Sequence, residues 1–63
     1  MITADNFKKR HALSEIEFQA LQNHIKASYP NQMLTRNVNG DQKIVDIYLF
    51  EQYLESIRKA TKH

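Results

Sequence analysis

Gly40 is the only glycine in this chain, and it follows Asn39. That pair constrains the fold more than any other feature. A type I′ turn needs positive φ at both central residues, which Asn and Gly tolerate best, so Asn-Gly between extended stretches marks a two-residue β-hairpin. The flanks fit: Met33-Leu34-Thr35-Arg36-Asn37-Val38 precedes the turn and Asp41-Gln42-Lys43-Ile44-Val45 follows it. A hairpin over about 33–45 is therefore expected, with Val38 opposite Asp41, Arg36 opposite Lys43 and Leu34 opposite Val45. This register turns Ile44 to the face away from Leu34, so a bulged register is the alternative.

Helical signals lie on both sides of the hairpin. Thr3 is a capping residue, and Phe7 with Ala12 or Leu13 can be buried by a short helix over about 4–11. Ser14-Glu15-Ile16-Glu17 matches the S-x-x-E capping box, in which hydroxyl and carboxylate satisfy each other's free backbone donors. The helix it opens, about 15–28, carries Phe18, Leu21 and Ile25 on one face, and Pro30 disfavours helical geometry just before it. Phe50, Tyr53, Leu54 and Ile57 restore helical spacing, which predicts a third helix over about 48–59. Glu51 and Glu55 come early, and Arg58, Lys59 and Lys62 late, as the helix dipole favours; fraying is expected from about Ala60. The fold class expected is α+β, a single domain over 1–63 with the order α-α-β-β-α and a two-stranded antiparallel hairpin.

The size of the chain limits its chemistry. Its 63 residues include no cysteine, so a small core must be held by packing, caps and turns alone. His11, His24 and His63 lack metal-ligand spacing, and neither a metal nor another cofactor is expected. An enzyme is not expected either. Ser14 is explained as a cap, no glycine-rich phosphate loop exists, and the carboxylates are dispersed. No run of about 18 apolar residues is present, and Met1 to Asp5 shows no basic region followed by an apolar stretch, so a cytoplasmic protein with no membrane partner is expected. The net charge of +2 is compatible with a polyanion but does not demand one.

The order of elements, with the segments Phe7-Lys8-Lys9-Arg10-His11-Ala12-Leu13-Ser14 and Val38-Asn39-Gly40, resembles the small winged-helix excisionases of phages and conjugative transposons, within the wider MerR-like helix-turn-helix group. The resemblance covers nearly the whole chain. It implies a winged helix-turn-helix: a short helix, a turn, a recognition helix, a wing and a closing helix. Two features depart from the pattern. The turn carries Ala12 where glycine is common, and the recognition helix opens with Glu15 and Glu17 instead of basic residues.

If Phe18, Leu21 and Ile25 face the core, a step of about 100° per residue turns Ile16, Gln19, Ala20, Asn23 and Ala27 outward, with Gln22 and Lys26 at the flank. Gln and Asn can bind the adenine edge bidentately, and Ile or Ala can touch a thymine methyl. The residues expected to contact DNA are thus Gln19, Gln22, Asn23 and Lys26 on the second helix, Arg36 and Lys43 on the wing, and Lys8, Lys9 and Arg10 on the first helix. What the resemblance implies is an excisionase-like architectural factor, or a transcriptional regulator of a mobile element, on double-stranded DNA. So small a module would act as cooperative copies or with a protein partner such as an integrase. The alternative is a protein-interaction module on the same fold, such as a phage-type inhibitor or adaptor. Glu15, Glu17 and the strip of Ile16 and Ala20 favour it.

Overall fold

The protein is described by a computed structural model, which covers residues 2–61, Thr61 by its backbone alone. The expected roles of Lys62 and His63 lie outside the described residues. The order is α1 (Ala4–Arg10), α2 (Glu15–Ser28), β1 (Thr35–Val38), β2 (Asp41–Ile44) and α3 (Ile47–Thr61). The chain is therefore α+β, with a two-stranded antiparallel hairpin, in the layout of a winged helix-turn-helix.

Each helix begins where a side chain satisfies its first free donors. The Asn6 N–H donates to Thr3 Oγ1 at 3.1 Å, opening α1. At α2 the reciprocal box is complete: the Glu17 N–H donates to Ser14 Oγ at 3.1 Å, and the Ser14 N–H donates to Glu17 Oε1 at 2.8 Å. Asp46 does the same for α3, accepting from the Leu49 N–H at 3.2 Å. That cap starts α3 at Ile47, one residue before the expected boundary. At its other end α3 runs through Thr61, two residues past the expected boundary.

The hairpin has the two-residue turn that Asn-Gly predicts, with Asn39 at φ 53° and Gly40 at φ 85°. Thr35 pairs with Ile44, Arg36 with Lys43, Asn37 with Gln42 and Val38 with Asp41. There is no bulge between these partners. The conflict between Leu34 and Ile44 is resolved by shortening the ladder instead: both strands end before Leu34 and Val45, although the Val45 N–H still donates to the Leu34 carbonyl at 3.1 Å. Free of the pleat, Leu34 turns into the core beside Ile44, and Val45 faces out.

The core centres on the chain's three phenylalanines, one from each helix. Ring centroids of Phe7, Phe18 and Phe50 lie 5.7–6.1 Å apart, and all three side chains are fully buried. Leu21, Ile25, Leu34, Ile44, Leu54 and Ala4 close around them. A short extended segment at the start of the chain fastens the wing to this core. The Ile44 N–H donates to the Ile2 carbonyl at 2.8 Å, and Thr3 bridges Lys43 in antiparallel fashion. No helix among the described residues is long and apolar enough to cross a membrane.

Candidate nucleic-acid interface

The turn between α1 and α2 sets the angle at which α2 is presented. After Arg10 the chain closes with two hydrogen bonds, Ala12 N–H to the Lys9 carbonyl at 3.3 Å and Leu13 N–H to the Lys8 carbonyl at 2.8 Å. This is a Schellman closure, which requires a left-handed residue between helix and exit, usually glycine. Ala12 occupies that position with φ 52°. Alanine thus takes the conformation for which glycine is common. From α3, Arg58 Nη2 donates to the His11 carbonyl at 2.6 Å, so the turn is also held by a residue 47 positions away. The His11 ring lies against Phe7, its centroid 4.5 Å away, with Nε2 buried 3.5 Å from Glu51 Oε2.

Beyond this turn, the face of α2 opposite the core stripe is open. Ile16, Gln19, Ala20, Asn23, Lys26 and Ala27 are exposed, and Gln22 is half-buried. The two glutamates at its start are engaged within the protein. Glu15 Oε2 accepts from Lys8 Nζ at 3.1 Å. Glu17 closes the capping box, and the Ser14 backbone N–H, followed by the Ser14 hydroxyl, holds its carboxyl below the ordinary glutamate value. Asp5 also contacts Lys8, at 3.4 Å, and the ammonium lies 5.5 Å from the Phe18 ring centroid. The Glu15 hydrogen bond leads in raising the Lys8 pKa, with Asp5 adding to it and partial desolvation opposing. Lys8 is therefore tied to two carboxylates, while Lys9 and Arg10 are exposed.

On the wing, Arg36 and Lys43 are direct cross-strand partners. Side chains alternate across a strand, so both lie on the sheet face opposite Ile44, together with Val38 and Asp41. Arg36 is exposed and Lys43 half-buried. The other face carries Thr35 and Gln42, joined by a Gln42 Nε2 to Thr35 Oγ1 hydrogen bond of 3.1 Å. Between the wing tip and α1 runs a polar cleft of about 250 Å³ whose charged lining is Asp5, Glu15, Asp41 and Lys8. Three carboxylates against one ammonium make that cleft unfavourable for a phosphate. A second groove, about 210 Å³, lies between α2 and α3 and is largely apolar, lined by Leu13, Ala20, Leu21, Leu54 and Ile57 with Glu17 and Arg58.

Of the residues predicted from sequence, the structure places Gln19, Asn23 and Lys26 together on the exposed face of α2 and Arg36 with Lys43 on the wing. Lys8 is separated from them in role by its two ion pairs. The Lys8–Glu15 and Arg58–His11 contacts had no sequence signal, because each joins groups of different segments, across a turn or across the fold. The Asp46 cap had one: an aspartate directly before an apolar run. No group of three or more His, Cys, Asp or Glu among the described residues is placed to hold a metal ion. No protein-family model matches the chain, and no curated protein or solved structure matches it at a significant level.

Proposed function

We propose that this chain is a duplex-DNA-binding protein that lays α2 in the major groove and sets its hairpin against the flanking backbone. The observation that carries the reading is the charge pattern of the presented surface. From Phe18 through Gly40 there is no Asp or Glu, whereas Lys26 and Arg36 lie in that stretch; on the wing face Asp41 is the one acid beside Arg36 and Lys43. The two acids that precede it are occupied by Lys8 and by the Ser14 cap. Gln19 and Asn23 have the donor and acceptor pair that matches the adenine N6 and N7 edge, and half-buried Gln22 borders them. Arg36 and Lys43 are like charges placed directly opposite, an arrangement that costs stability in an isolated sheet and that a phosphate relieves. Lys9 and Arg10 supply further backbone contacts. A module of this size buries only about 600–1,000 Å² on DNA, so cooperative copies or a protein partner such as an integrase complete the affinity. An accessory factor of recombination, or a small transcriptional regulator of a mobile element, fits these properties.

The test is retention of a mixed duplex pool at several salt concentrations, followed by sequencing of the retained fraction. Log affinity is expected to fall with log salt at about −0.9 per phosphate neutralised. Asn23→Ala erodes the enriched motif, whereas Arg36→Ala weakens all sequences alike. No retention at low salt refutes the proposal. The acid-lined cleft beside the wing and the apolar groove between α2 and α3 favour a second reading, a protein-interaction module. Absence of duplex binding together with a stable complex on a protein target would select it.

A further inference from the structure

We infer that Ile16 is a specificity residue that reads the C5-methyl group of thymine in the major groove; this rests on the DNA-binding reading above. Ile16 is 82% exposed, more than Tyr48, Met33, Val45 or Tyr29, the other exposed large hydrophobic side chains among the described residues. A single exposed apolar side chain is ordinary, and what distinguishes Ile16 is its placement. Ile16 is the second residue of α2, and Ile16, Gln19 and Asn23 fall at i, i+3 and i+7, one continuous stripe. In helix-turn-helix docking the N-terminal residues of the second helix approach the base edges most closely. The stripe therefore presents an apolar tip followed by two amides. Among major-groove edges the thymine methyl is the apolar group, and adenine offers the paired donor and acceptor that amides match. Of the flanking carboxylates, Glu15 is paired with Lys8, and Glu17, which stays ionised, is drawn back onto the Ser14 N–H at 2.8 Å. The expected recognition element is thus A·T-rich, with one thymine methyl seated against Ile16.

A thymine scan tests this. The duplex recovered from the pool selection is rebuilt with deoxyuridine at one thymine at a time, which removes the methyl and leaves pairing intact, and affinity is measured at one salt concentration. The wild-type chain is expected to lose about fourfold at one position, the value of one apolar carbon removed from water. Ile16→Ala, at an exposed site and checked for folding by circular dichroism, is expected to bind the thymine and deoxyuridine duplexes alike there. Gln19→Ala keeps the difference. An enriched motif with no deoxyuridine-sensitive position, or the same sensitivity in Ile16→Ala, overturns this inference and leaves DNA binding intact. Failure to bind any duplex overturns both.

Discussion

Replacing Ala12 with glycine should stabilise the protein, although glycine normally destabilises. Ala12 lies outside both helices, is exposed, and is held at φ 52° by the Schellman closure. A left-handed conformation costs an L-residue about 1–2 kcal/mol, which glycine escapes. Glycine in turn gives the unfolded chain freedom worth about 0.4–1 kcal/mol, which opposes folding. The difference favours Ala12→Gly by about 0.8 kcal/mol at mid-range and by about 1.6 kcal/mol at most. In a domain of this size the melting temperature would rise by roughly 2–8 °C. Gly40→Ala is the mirror experiment. No atom lies within 4 Å of an added Cβ there, so the φ of +85° is the whole obstacle, and the variant is expected to lose a similar amount. Urea denaturation followed by circular dichroism, with unchanged m-values, reads both. If Ala12→Gly were destabilised by about the entropy cost alone, Ala12 would not be left-handed in solution and the turn geometry would be wrong.

Removing the α2 cap by Ser14→Ala should cost about 1 kcal/mol in the same denaturation assay, because one of the donors at the helix start loses its acceptor. Glu17 has its folded-state pKa lowered below the ordinary value of 4.5, so its contribution is complete above that value and is lost as pH falls through the lower folded one. Glu17→Gln is expected to flatten that acid limb, and an unchanged limb would exclude Glu17 as its source. Phe7→Ala should remove about 3–5 kcal/mol. Against the roughly 3–9 kcal/mol available to a chain of this length, near-UV circular dichroism should show lost tertiary packing, and retention of a sharp transition at the wild-type temperature would contradict the three-ring core.

Much of this fold was legible because its signals are local. Asn39-Gly40 specifies its turn through the φ values those two residues tolerate, and Ser14-x-x-Glu17 specifies a helix start through bonds spanning three residues. The apolar stripes of the second and third helices likewise named their buried faces, since Phe18, Leu21, Ile25, Phe50 and Leu54 are all in the core. Ladder length was less legible. Leu34 and Ile44 both carry apolar side chains, but alternation lets only one of two such positions face inward, and the choice between a bulge and a shorter ladder depended on the core they meet.

The candidate site divides in the same way. The sequence by itself determined which side chains of α2 point outward, because helical periodicity fixes them once the core stripe is known, and Gln19, Asn23 and Lys26 are exposed accordingly. Only the tertiary structure decided which charges remain available to a partner. Lys8, in the densest basic cluster of the sequence, meets Glu15 across the turn and Asp5 one helical turn back. Glu15, the first residue of α2, is thereby engaged by that lysine. Arg58 reaches the His11 carbonyl over 47 residues of chain to hold the turn that presents the helix. Propensity and periodicity act over a few residues, whereas a charge is neutralised by whatever the folded chain places within a few ångströms, and that distance is unrelated to separation in sequence.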